Sequence, residues 1–212
     1  MKILSLFIGL TLLAGISAHA DFFGFSAVTT NAPQRDAVAN QLFMDVTTWD
    51  AAHSGILFTN TGPMSSSISE IYIGSALTTL DLTIDSVVNS SPGVKYDISG
   101  SSPFNPPGWE DFGSWWTVTI AAAESEPPPS SKGVNPYEFL ELGISYDSVS
   151  SFSELLQSGE VQVAMHVISI GEYSDTFQNG TNTLTVIPEP TSLLLIGISG
   201  TLIAFVRRRL VS

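Results

Sequence analysis

Runs in which every second residue is apolar recur along this chain at short intervals, and they restrict its fold more than any other feature. Leu80, Leu82 and Ile84 alternate with Thr79, Asp81, Thr83 and Asp85. That is the period of a strand with one face buried and the other in water. Leu42, Met44 and Val46 alternate with Phe43, Asp45 and Thr47; Trp116, Val118 and Ile120 alternate with Trp115, Thr117 and Thr119. Leu140, Leu142, Ile144 and Tyr146 make another such run, and Val161, Val163, Met165 and Val167 another. Residues 55–58, 71–73 and 94–98 read as shorter strands, and 184–187 as a last one. Residues 21–37 open on Phe22, Phe23, Gly24 and Phe25 and continue in small and polar residues, with no assigned element.

Between the runs lie turn formers: Thr61-Gly62-Pro63, Ser90-Ser91-Pro92-Gly93, Pro106-Pro107-Gly108, Pro127-Pro128-Pro129 and Asn179-Gly180. One brief helix is expected at 152–157. Ser151 and Glu154 have capping-box spacing, Leu155 and Leu156 form an apolar face, and Gly159 stops it. Many short strands, frequent turns and little helix predict an all-β, antiparallel two-sheet β-sandwich, with an open barrel as the alternative. Residues 99–114 and 124–135 are rich in Pro and Ser and read as long loops, the second unable to supply a central strand.

Both ends stand apart from this domain. Met1 and Lys2 precede an apolar run over 3–16, and Ala18-His19-Ala20 forms a small-x-small cleavage pattern. The run is too short for a bilayer core about 30 Å thick, so residues 1–20 read as a signal peptide cut by signal peptidase. This leaves an ectodomain over 21–187, long enough to bury a core without staples. The chain has no cysteine, so that core stands on packing alone, without thiol chemistry or Cys-ligated metal.

Charge narrows the partners. The chain holds seven Lys and Arg against twenty Asp and Glu. Of the basic residues, only Arg35, Lys95 and Lys132 fall within the ectodomain. Such a surface repels phosphate backbones, which argues against nucleic acid.

At the C-terminal side, Pro188-Glu189-Pro190 is followed by an uncharged apolar stretch over 193–206 and then by Arg207, Arg208 and Arg209. Two prolines hold an extended, non-pairing backbone that a peptidase can grip. The apolar stretch, about 21 Å as a helix, is short for a span but fits a transient transmembrane helix over about 192–206. The arginines stay on the cytoplasmic side, placing the ectodomain beyond the membrane. Together these parts resemble the PEP-CTERM sorting signal of Gram-negative bacteria, here 188–212. The resemblance implies an exosortase as partner, export through the inner membrane, and final delivery to the cell surface or the extracellular polysaccharide of a biofilm. Asn135-Pro136-Tyr137-Glu138, the 140–146 strand, the 152–157 helix and the His166 strand look like ectodomains that precede such tails, a likeness that implies no reaction.

Chemistry-bearing constellations are sparse. Past the signal, His53 and His166 are the histidines, and neither sits in a hydrolase, metalloprotease or phosphate-loop motif. Trp109 beside Glu110 and Asp111 is the best candidate for glycan contact, an aromatic platform next to acids, and a carboxylate pair is all a glycosidase needs. Asp81, Asp85 and Asp97 offer hard oxygens for a weak calcium site without a calcium-loop motif. Asn89-Ser90-Ser91 and Asn179-Gly180-Thr181 fit the N-glycosylation pattern. The expectation is a non-enzymatic structural or adhesive surface protein without cofactor. A carbohydrate-binding module is the alternative, and a glycoside hydrolase the more distant one.

Overall fold

The computed structural model describes residues 20–98 and 119–180. Ten strands and three short helices follow in order: β1 (Ala20–Ala27), α1 (Arg35–Ala39), β2 (Leu42–Thr48), β3 (His53–Asn60), β4 (Ser67–Ser75), β5 (Leu82–Ser90), β6 (Tyr96–Asp97), β7 (Thr119–Ser125), α2 (Pro129–Lys132), β8 (Glu138–Tyr146), α3 (Phe152–Ser158), β9 (Val161–Ile170) and β10 (Tyr173–Asn179). All pairings are antiparallel, and the strands run in one order, β5-β8-β3-β2-β1-β10-β9-β4-β7-β6.

The expected all-β class is what the chain adopts. Hydrogen bonding links the strands into one ten-stranded order made of two halves that share a strand. The joint is β1: its Ala20–Gly24 half pairs with β2, and its Phe25–Ala27 half pairs with β10. Gly24 stands at the changeover. The sheet nearly closes like a barrel, because β5 at one end of the order packs against β7 near the other.

Alternation explains which side is core. In β2, Leu42, Met44 and Val46 are buried while Phe43, Asp45 and Thr47 are half-buried. β3 buries Ile56 and Phe58, and β8 buries Leu140, Leu142 and Ile144. Ile71 and Ile73 of β4 and Val163, Met165 and Val167 of β9 complete the same cluster from the other half. Each fully buried large side chain contributes roughly 1.5–3 kcal/mol, which is how the fold stands without a disulfide.

Helix α3 forms as its sequence dictates. The Ser151 hydroxyl accepts from the Glu154 amide at 3.3 Å, and the Glu154 carboxylate accepts from the Ser151 amide at 2.8 Å. Gly159 ends the helix at φ +77°, a left-handed turn that glycine adopts without strain. Phe152 anchors it against the Tyr146 ring, centroids 5.7 Å apart, and its amide donates to the Tyr146 hydroxyl.

Several expectations are corrected. Helices α1 and α2 join the expected one. β1 and β10 had no strand assigned in the sequence. β6 shrinks to two residues of the 94–98 run. Glu124 and Ser125, read as loop, extend β7 and pair with β4 and β6, and α2 and a Val134–Ile68 bridge fill much of the remainder. The signal peptide to residue 19, the 99–114 loop, the Trp116 and Val118 positions, the 184–187 strand and the sorting tail lie outside the described residues.

Candidate functional site

The outer face of β2, β3, β8 and β5 carries an unusual row. Thr47, Gly55, Gly143 and Ser86 stand side by side across the four strands. The two central positions are glycines, and the indole of Trp49 lies over them. A Cβ on Gly55 would meet Trp49 Cζ2 at 2.7 Å, and one on Gly143 would meet Trp49 Cη2 at 3.2 Å. A Cβ on Gly55 would push the ring aside, whereas one on Gly143 would meet Ser86 Oγ first, at 2.7 Å, and press on the ring only slightly. Even so seated, Trp49 is 46% exposed.

The turn after β2 holds the platform. The Trp49 and Asp50 amides both donate to the His53 carbonyl, at 3.0 and 3.2 Å. The Asp50 carboxylate accepts from the Ala52 amide at 2.8 Å and meets His53 Nδ1 at 2.8 Å. Those hydrogen bonds, the Ala52 amide first and then His53, keep the Asp50 carboxyl below the usual carboxylate range.

Two rows that carry polar side chains flank the platform, each about 7 Å along the strands. On one side stand Asp45, Leu57 and Glu141; on the other, His53, Ser145 and Thr83. Burial pushes the Asp45 carboxyl up, and among the described residues no hydrogen bond reaches the carboxylate of Asp45 or of Glu141. Thr83 and Ser145 hydroxyls are 2.8 Å apart and both donate to Asp85, at 2.8 and 3.2 Å. Beside them a cavity of about 210 Å³ is lined by Asp81, Thr83, Ser145, Tyr146 and Asp147. The face thus combines an aromatic plate, hydroxyls and unpaired carboxylates.

A second polar node lies on the outer face of β4 and β9. His166 points away from Val163 and Met165, as its alternation predicts. Its Nδ1 meets Glu70 Oε2 at 3.2 Å, and the Tyr72 hydroxyl donates to the same oxygen at 2.7 Å. Burial pushes the Glu70 carboxyl up, but the hydrogen bonds from His166 and Tyr72 and the charge of His166 outweigh it and hold the group below its ordinary value. The Tyr72 phenol is pushed up by burial and by Glu70. Ser69 Oγ also lies on the Nδ1 side, at 3.5 Å, and its hydroxyl donates to the His166 carbonyl at 3.0 Å. A nucleophilic relay needs hydroxyl and carboxylate on opposite ring nitrogens. Here both crowd one nitrogen and Nε2 is buried without a partner, so the node ties β4 to β9.

The sequence-predicted candidates scatter. Trp109, Glu110, Asp111, Ala18, Pro188, Glu189, Pro190, Arg207, Arg208 and Arg209 lie outside the described residues. Ala20 opens β1, its backbone paired with Thr47. Asp81 and Asp85 approach the same ledge while Asp97 is in β6, and no three metal-binding side chains come together among the described residues. Asn179 is 4% exposed and accepts from the Val163 amide at 2.6 Å, which closes it to a glycan. Trp49 was missed, although glycine at outward positions of two alternating strands, with a tryptophan just past a third, is a readable signal.

Comparison with known proteins bears on the tail. Residues 186–209 match the family model described as the PEP-CTERM protein-sorting motif. The tail is a PEP-CTERM motif. It contains Pro188-Glu189-Pro190 and Arg207 to Arg209 in order, and a PEP-CTERM motif marks a chain for export, surface sorting and an exosortase. No curated protein and no solved structure matched the chain. Among the described residues no helix is long and apolar enough to cross a membrane.

Proposed function

We propose that this chain is an exported structural or adhesive component of the extracellular polysaccharide matrix, delivered by exosortase and working without catalysis or cofactor. The PEP-CTERM match over 186–209 carries the reading. In it, signal peptidase cuts after Ala20, residues 192–206 hold the chain briefly in the inner membrane with the arginines inside, and exosortase then processes the tail. The ectodomain is read as two packed layers that share β1, a scaffold built for persistence. Its support is the near-closed antiparallel order and a core drawn from both halves.

Replacing Pro188, Glu189 and Pro190 together by alanine tests the sorting step in the native host. The expected result is an ectodomain retained in the inner-membrane fraction. Unchanged delivery to the surface would sink the proposal.

A further inference from the structure

We infer that the outer face of β2, β3, β8 and β5 is a binding site for a neutral polysaccharide, with Trp49 as the plate on which a pyranose ring stacks. Trp109, the glycan candidate read from the sequence, is a different residue, and the Trp49 site is complete within the described strands. Sugar rings present C–H bonds on one face and hydroxyls around the rim. Recognition therefore needs a flat aromatic surface with hydrogen-bonding groups to its sides.

The glycines at 55 and 143 are what make the plate. They let the indole settle on backbone, where two ordinary side chains would otherwise project. The ring is seated yet 46% exposed, so an apolar surface stays open to water.

The rows beside it supply the rim chemistry. Asp45 and Glu141 are acceptors without a described partner, and Asp45 is already partly desolvated, which lowers the cost of closing a ligand over it. Ser86 can both donate and accept, while Ser145 and Thr83, whose protons go to Asp85, offer lone pairs as acceptors. Along the row from Thr47 to Ser86 the face extends about 14 Å across three strand spacings, so the occupant is a chain of sugars. Asp45, Asp50, Asp85 and Glu141 surround the plate, and an anionic polysaccharide would be repelled.

The test is titration of the purified full-length chain with cellohexaose, maltohexaose and mannohexaose, with sodium alginate as the anionic arm, followed calorimetrically. At least one neutral oligomer should bind saturably and alginate should not. Trp49→Ala should weaken binding at least tenfold, and Trp49→Tyr should retain most of it. If Trp49→Ala does not fold, the double variant Asp45→Asn, Glu141→Gln decides, with a tenfold loss expected. Failure of all three neutral oligomers to bind, tighter binding of alginate, or unchanged affinity in the deciding variant would overturn the inference. Binding and tail processing are read separately, so failure of one leaves the other standing.

Discussion

Glu70 and His166 face each other across paired strands β4 and β9, Oε2 to Nδ1 at 3.2 Å, on the side of the sheet away from the core. A carboxylate held below its ordinary pKa in the folded state stabilises the fold above its unfolded value. That contribution disappears as the pH falls through the folded value.

Glu70→Gln should therefore cost about 1 kcal/mol at pH 7. Its difference from wild type should shrink as pH drops below the ordinary carboxyl value of 4.5. Urea midpoints at pH 7, 5 and 3.5 check this. A difference constant across that range would contradict the assignment.

Asp175 is 0% exposed, and both of its carboxylate oxygens are hydrogen-bonded. It accepts from the Thr29 hydroxyl at 2.6 Å and from the Asn31 and Ala32 amides at 2.8 and 2.7 Å, pinning the loop after β1 onto β10. Asp175→Ala leaves the buried Thr29 hydroxyl and Ala32 amide without an acceptor and frees the more exposed Asn31 amide; it should cost about 3 kcal/mol, measured by equilibrium urea unfolding.

Gly133 is limited by space, since its φ of −71° suits any residue. A Cβ there would lie 2.5 Å from Ser67 Oγ and closer still to the Ile68 carbonyl oxygen. Backbone cannot step aside as a flexible side chain can, so Gly133→Ala should cost about 3 kcal/mol or more. A melting temperature within a degree of wild type would refute the packing.

Gly55→Ala presses on the Trp49 ring instead, which can lift into solvent. The expected result is a smaller loss of about 1–2 kcal/mol and a red shift in tryptophan emission. An unshifted spectrum would mean that the ring does not rest on the sheet.

What the sequence revealed follows from how local each signal is. The strands over 42–47, 55–58, 140–146 and 161–167 announce themselves because one face is apolar throughout, and α3 because its cap and stop lie within nine residues of each other. β10 hides because Asp175 and Thr176 occupy buried positions that hydrogen bonds from the residue 29–32 loop make tolerable, which spacing along one strand cannot show. β1 hides because Gly24 stands at its change of partner. The Trp49 platform needs the register of four strands, two of them far away in the chain, to bring Gly55 beside Gly143. The tail needs no register, as its motif, apolar stretch and arginines are contiguous.

The central proposal, processing at the PEP-CTERM tail, is tested most directly by mass spectrometry of the mature surface protein from its native host. The expected C-terminus falls within residues 188–191, with Arg207, Arg208 and Arg209 gone. A surface-located chain that still ends in those arginines would contradict it.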